Sequence, residues 1–187
     1  MDGAPANTAY AGVLAEMFPD ARFIHLTRNP DDVIRSLLSS EQNARLWAER
    51  LASIHNVYHS YRSALLAGKV LGREAVCRFS YERLINEPEA EMGAILTFLG
   101  EPFEANCLAP LAQTINQSQP ERKEQISLDY SAEEAVMVNK LLHWFECGRD
   151  ADWQMNISDD KAREQLVLYG KVPINAPPPD IAPGQDE

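Results

Sequence analysis

The sequence contains no apolar run that approaches the roughly 20 residues needed to span a bilayer. Its start, MDGAPANTAY, lacks the basic and apolar regions of a secretory signal. It has only three cysteines, Cys77, Cys107 and Cys147, and no CxxC pair, which argues against a disulfide framework and a cysteine-ligated zinc site. These absences predict a cytoplasmic protein that makes no contact with a membrane.

Basic residues are scarce, since 17 Lys and Arg stand against 28 Asp and Glu and the net charge is −11. This charge argues against a nucleic-acid partner. It is also unevenly spread: residues 1–83 hold ten basic and nine acidic residues, whereas residues 84–187 hold seven basic and nineteen acidic ones. We therefore expect an anionic ligand to bind in the first half.

Apolar periodicity predicts a helix-rich α/β fold with two parallel strands. The strands are predicted at 21–26 and 75–80. Three helices are predicted from apolar periodicity at 8–18, 44–67 and 159–169, and Gly68 is expected to end the second of them. Three more are predicted from their end signals: one that Asn29 caps, one from Pro88 to Gly100, and one that begins at the capping box Ser131–Glu134. Two parallel strands are a poor core, so we expect further structure beside them.

The chain is predicted to form one domain over residues 1–172, which is long enough to bury a sizeable core. Residues 173–187 are rich in proline and acidic residues, and they contain little that a core could bury. We expect this C-terminal tail to be disordered.

The stretch FIHLTRNPDDVIRS, residues 23–36, places Arg28 directly after a strand. Open α/β sheets bind ligands at the carboxyl ends of their strands. The planar, permanently charged guanidinium of Arg28 suits a phosphate, and Ser36 can add a hydroxyl hydrogen bond. The structural alternative is that Arg28 pairs with Asp31 or Asp32 and that Ser36 is a solvated helix residue.

The longer stretch FPDARFIHLTRNPDDVIRS resembles the 3′-phosphate-binding segment of the sulfotransferases that use 3′-phosphoadenosine 5′-phosphosulfate (PAPS). In that segment an apolar strand precedes Arg-Asn/Asp-Pro, and a serine follows eight residues after the arginine. Arg28 and Ser36 match these two positions. The resemblance implies that both bind the 3′-phosphate of PAPS.

A second stretch, RFSYERLINEPEAEMGAILTFLG at 78–100, resembles the same family. Tyr81 matches a tyrosine that lies near the bound nucleotide in that family. The resemblance covers about residues 5–105 and is weaker beyond them. There, Asn116-Gln117-Ser118 is similar to a serine-containing stretch near the cofactor, which implies that Ser118 also contacts the nucleotide.

The resemblance implies a P-loop-like fold and sulfuryl transfer from PAPS to a hydroxyl or amine of a small-molecule or peptide acceptor. The sequence lacks the family's Gly-rich loop for the 5′-phosphosulfate: Gly68, Lys69 and Gly72 come in the wrong order, after a predicted helix and before a strand. His25 matches no catalytic base. We therefore expect an N-terminally truncated domain without catalytic residues, inactive alone, with the first strand open to a missing N-terminal segment or a second copy.

Two other functions remain open: a non-catalytic nucleotide-binding or protein-interaction module, and a helical scaffold in which Arg28 is purely structural. His55 and His59 have a metal-compatible spacing on a helix. However, Asn56 replaces the glutamate of the HExxH pattern, so we predict no metal site.

Overall fold

A computed structural model describes residues 5–39, 50–112, 126–148, 155–173 and 176–179 of the chain. Within these ranges the elements in chain order are a 3₁₀ segment Pro5–Tyr10, α1 Ala11–Met17, β1 Phe23–Thr27, α2 Pro30–Ser39, α3 Arg50–Leu71, β2 Val76–Ser80, α4 Tyr81–Asn86, α5 Pro88–Leu99, a 3₁₀ segment Ala105–Ala112, α6 Ala132–Cys147 and α7 Asp159–Tyr169.

The two strands β1 and β2 pair in parallel, from Phe23 opposite Val76 to Thr27 opposite Ser80. The described ranges contain no further strand. A parallel pair needs a crossover connection, and α2 and α3 supply it. The predicted helix-rich α/β fold with two parallel strands is therefore confirmed.

Helix α3 is the central element of the core. One buried cluster packs Leu65 and Leu66 of α3 against Leu166 and Tyr169 of α7. A second cluster packs the first half of α3 against α2 and α6, and its fully buried members include Ile34, Ile54, Tyr58 and Leu141. Because α3 contributes to both clusters, it holds the helical layers and the sheet together.

The long helix ends later than predicted. Gly68 was expected to end it, but α3 continues to Leu71, and Gly72 follows with φ +81°. Gly68 is buried inside the helix. Gly72 is the glycine that adopts the left-handed conformation, which other residues rarely adopt. The helix start at 44 lies outside the described residues, which resume at Arg50.

Two of the predicted helix ends are confirmed in detail. Gly100 closes α5 with φ +78°, and the backbone N–H of Gly100 donates to the end of that helix. Ser131 and Glu134 form the capping box of α6. Arg50 forms a bidentate ion pair with the Glu134 carboxylate, in which Nε and Nη2 donate hydrogen bonds of 2.9 and 2.8 Å. The hydrogen bond from Arg50 lowers the pKa of Glu134, and it joins the beginnings of α3 and α6.

The short helix α4 was not predicted. Ser80 ends β2 and caps α4, because its hydroxyl accepts the N–H of Arg83 at 3.3 Å. The predicted first helix is divided into a 3₁₀ segment and α1, and β1 begins two residues later than expected. Boundary shifts of this size are common because the ends of elements fray.

A polar pair lies between the sheet and α3. Arg78 of β2 is only 5% exposed, and it donates from Nε to Nδ1 of His25 on β1 at 3.1 Å. Its Nη1 donates to the carbonyl of Gly148 at 2.9 Å, at the end of α6. The His25 ring also meets the edge of Tyr61, with 5.2 Å between the ring centroids. Arg78 thereby joins the sheet to the negative end of a helix.

Leu26 lies in β1 and is 51% exposed, although its neighbour Thr27 is buried. Within the described ranges β1 pairs with β2 alone, so the backbone groups of its other edge are the ones with which an added strand would pair. The expectation that a missing N-terminal segment or a second copy pairs here stays a prediction.

Part of the proline-rich tail packs against α3. The carbonyl of Ala176 accepts a hydrogen bond from His59 Nε2 at 3.1 Å, and Pro178 is buried. The rest of the tail beyond Pro173 lies outside the described residues, so the domain boundary at 172 stays a prediction. None of the described helices combines the length and the apolarity that a membrane crossing requires.

Candidate functional site

The candidate site lies at the carboxyl ends of the two strands. The parallel register brings Thr27 beside Ser80, and the Thr27 hydroxyl donates to the Phe79 carbonyl at 3.0 Å. The next residues of the two chains, Arg28 and Tyr81, therefore leave the sheet side by side. This is the edge of an open α/β sheet where ligands bind.

Arg28 and Tyr81 are in direct contact. The guanidinium carbon of Arg28 lies 4.8 Å from the centroid of the Tyr81 ring, a cation–π arrangement. The Nε atom of Arg28 is buried and has no hydrogen-bond partner in the part of the chain that the structure describes. A cation–π contact of this kind does not occupy the N–H donors of a guanidinium, which are the groups that bind an anion.

The structural alternative for Arg28 is not observed. Within the described ranges Arg28 forms no salt bridge with Asp31 or Asp32. Asp31 instead accepts the hydroxyl of Tyr130 at 2.8 Å, and its N–H donates to Asn29 Oδ1 at 3.0 Å. Asn29 thus caps α2, as predicted from the sequence, and leaves the positive end of that helix next to Arg28.

Glu82 connects the two strand ends. One oxygen of its carboxylate accepts the backbone N–H of Asn29 at 2.8 Å, and the other accepts the Ser80 hydroxyl at 2.8 Å. Ser80 in turn caps α4, which begins at Tyr81. The carboxylate therefore holds the backbone that carries Arg28 against the helix start that carries Tyr81.

A family model described as "Sulfotransferase family" matches residues 1–105, which is more than half of the chain and includes both strand ends. The chain belongs to the sulfotransferase family. An uncharacterized protein of Aquifex aeolicus (strain VF5) is 30% identical over 112 residues, which are 58% of this chain and 15% of that protein. No solved structure matches the chain.

The sequence-predicted residues of this sulfotransferase-family chain are only partly brought together. Arg28 and Tyr81 touch. Ser36 lies two turns into α2 and is half-buried; its carbonyl accepts the Ser39 hydroxyl at 3.0 Å, and in the described ranges its own hydroxyl forms no hydrogen bond with Arg28 or Tyr81. Ser118 lies outside the described residues, so its predicted contact with the nucleotide is untested.

His55 and His59 are both buried in α3. Nε2 of His59 donates a hydrogen bond to the Ala176 carbonyl. The His59 and Tyr169 rings form an edge-to-face contact with their centroids 4.9 Å apart. Among the residues that the structure describes, no group of three or more His, Cys, Asp and Glu side chains could hold a metal ion.

Glu82 is the site residue that sequence reasoning missed. The signal was present, because an acid directly after Ser80-Tyr81 at a strand end has backbone donors within reach. Its role depends on Asn29, which is 53 residues away in the sequence. Only the parallel pairing of β1 and β2 brings the two together.

We expect Glu82→Ala to lower the free energy of unfolding by about 1.5–3 kcal/mol, because hydrogen bonds to a charged group contribute about this much and the Asn29 N–H loses its acceptor. Urea unfolding of the whole chain measures this change. Glu74→Ala is the matched control, since Glu74 is exposed and lies at the opposite end of the sheet. Equal stability losses in both variants would show that Glu82 does not connect the strands.

Proposed function

We propose that this sulfotransferase-family chain binds PAPS through its 3′-phosphate and serves sulfuryl transfer to a hydroxyl or amine acceptor. The observation that carries the proposal is the Arg28 guanidinium, which stacks on Tyr81 at the strand ends and keeps a buried, unpartnered Nε. A charged donor in this position suits a dianionic group better than a neutral ligand.

The surroundings of Arg28 also favour an anion. Residues 1–83 have a slight excess of basic residues, whereas the rest of the chain is strongly acidic. The beginning of α2 follows Arg28 directly, and the positive end of a helix favours negative charge, part of which Asp31 and Asp32 in its first turn already supply. These features support binding of a phosphate by the first half of the chain.

PAPS supplies the sulfuryl group in this chemistry. The residues of the chain that would hold it are Arg28, which donates to the 3′-phosphate, Ser36, which adds a hydroxyl, and Tyr81, which fixes the guanidinium. Positioning of the nucleotide is the contribution of these residues, because oriented binding lowers the barrier of a transfer reaction.

The reacting end of the nucleotide needs other groups. The sequence has no Gly-rich loop after a strand to receive a 5′-phosphosulfate, and we infer that such a loop and a base come from polypeptide outside this chain. The chain spans about 15% of the length of the Aquifex relative that it matches. The acceptor that we propose is a small molecule or a peptide.

Titration calorimetry tests the proposal with three nucleotides. Adenosine 3′,5′-bisphosphate is expected to bind at least about tenfold more tightly than adenosine 5′-monophosphate, because a charge-assisted contact contributes this much. Adenosine 2′,5′-bisphosphate carries the same charge in another position and is the matched control. Equal affinities for the two bisphosphates would mean that the site does not recognise a 3′-phosphate.

A further inference from the structure

We propose that the face of α3 around His59 is a binding site for proline-rich segments, and that the chain's own tail occupies it as an internal ligand. The tail segment Ala176–Pro179 reads APPP and lies outside the helices and strands. It returns to α3 after α7 has ended at Tyr169. The site is therefore formed by α3 and the end of α7, two elements that share one buried cluster.

The sequence of this segment favours a polyproline II conformation. Proline fixes φ at about −65°, and a residue that precedes a proline is restricted to extended or polyproline II geometry. Ala176, Pro177 and Pro178 each precede a proline. A polyproline II segment has no internal hydrogen bonds, so its carbonyl groups can accept from another part of a protein. The shape of the segment is largely fixed before it docks, so docking loses little conformational entropy.

His59 supplies the donor for such a segment. A carbonyl oxygen can only accept, so Nε2 of His59 carries the proton in the 3.1 Å hydrogen bond to the Ala176 carbonyl. The edge-to-face contact with the Tyr169 ring restrains the imidazole in this position. Pro178 is buried whereas Pro177 is exposed, so the segment lies with one side against the protein. Docking of a preformed proline-rich segment on aromatic side chains is a recurrent mode of peptide recognition.

The contacts of the tail are few enough for another segment to replace it. Within its described part only Pro178 is buried, and Ala176 and Pro179 are half-buried. One neutral hydrogen bond contributes only about a factor of five to an equilibrium. Covalent attachment gives the tail an effective concentration on the order of millimolar, and this holds it on the site. The occupant that we assign in trans is a proline-rich segment of a partner protein, which competes with the tail for His59.

The site lies on the side of α3 that faces away from the sheet. Tyr61 of α3 contacts His25 of β1. His59 lies two positions before Tyr61, which corresponds to about 200° around a helix, so the two side chains point to nearly opposite sides. Binding of a proline-rich segment therefore does not require the nucleotide site at Arg28, and the two proposals are tested separately.

An NMR titration of the whole chain with the peptide PINAPPPD, the sequence of residues 173–180, tests the site. The triple variant Pro177→Gly/Pro178→Gly/Pro179→Gly vacates the site in the full-length chain, because it removes the buried ring and the fixed backbone shape of the tail. In this variant the peptide is expected to shift the amide signals around His59 and Tyr169 saturably. In the wild-type chain its apparent Kd is expected to be roughly tenfold higher, because the intact tail competes.

A matched peptide and a matched pair of histidine variants separate shape from hydrogen bonding. The peptide PINAGGGD has the same length and charge, and it is expected to bind at least about fivefold more weakly because it loses more conformational entropy. In the triple variant, His59→Phe keeps a ring beside Tyr169 but has no donor, so we expect roughly fivefold weaker binding of PINAPPPD. His143→Phe is the control, because His143 is exposed on another helix.

Four results would overturn the proposal. One is the lack of saturable binding of PINAPPPD to the triple variant. Another is equal affinity for the two peptides, a comparison that needs no substitution at His59. Equal apparent Kd values in the wild-type chain and the triple variant would show that the tail is not an internal ligand. Finally, a wild-type dimer that the peptide dissociates, detected by light scattering, would place the tail of a second copy in the site instead of the chain's own.

Discussion

Replacing Arg28 with alanine is expected to raise the Kd of adenosine 3′,5′-bisphosphate roughly 10- to 100-fold. Charge-assisted hydrogen bonds contribute about 1.5–3 kcal/mol, and each 1.4 kcal/mol is about a factor of ten in affinity. The guanidinium lies over the Tyr81 ring, and within the described residues its Nε has no hydrogen-bond partner that would compete with a phosphate. Titration calorimetry measures the change.

Two further variants separate charge from geometry. Arg28→Lys keeps the positive charge but loses the planar fork and the stacking on Tyr81, so its Kd is expected to lie between those of the wild type and Arg28→Ala. Arg73→Ala is the control, because Arg73 is exposed at the opposite end of the sheet. If Arg73→Ala weakened binding as much as Arg28→Ala, the ligand would be responding to overall charge, and the assignment would fail.

The second large effect is expected in the pH dependence of stability. His25 accepts a hydrogen bond from Arg78 through Nδ1, so this nitrogen must be unprotonated in the fold. Burial, and then the positive charge of Arg78, lower the pKa of His25 to about 3. In the unfolded chain the histidine has its ordinary pKa of about 6.5. The unfolded state therefore binds the proton more readily between these two values.

The sign of the effect follows from this difference. The contribution of neutral His25 to stability is fully present above pH 6.5. It decreases as the pH falls toward 3, because protonation of the histidine favours the unfolded state. Each pH unit below 6.5 costs about 1.4 kcal/mol, so the preference of the unfolded state for a protonated His25 lowers the free energy of unfolding by about 3 kcal/mol at pH 4. In His25→Asn the amide oxygen can still accept from Arg78 Nε but does not titrate in this range.

Urea unfolding from pH 7 to pH 4 compares the two chains. His25→Asn is expected to be less stable at pH 7, because it loses the ring contact with Tyr61, but its stability should decrease less on acidification. His143→Asn replaces an exposed histidine and is expected to follow the wild type. Identical acid profiles of His25→Asn and the wild type would contradict the role assigned to this pair.

Local sequence signals determined the elements that carry the candidate site. Four features could be predicted from the sequence, because each depends on residues only a few positions apart. They are the apolar strand before Arg28, the cap at Asn29, the capping box at Ser131 and the helix end at Gly100. The two-strand α/β class followed from the same signals. So did the family, since the motifs around Arg28 and Tyr81 are contiguous in the sequence.

The tertiary structure decided which of these residues meet. Arg28 contacts Tyr81, and Glu82 binds the Asn29 backbone, only because β1 and β2 pair in parallel over a separation of 53 residues. The same holds for the contact between His25 and Arg78. The contact of the tail with His59 likewise joins two segments that lie far apart in the sequence. Periodicity reports the face that a residue occupies, whereas a site depends on which faces come together in the fold.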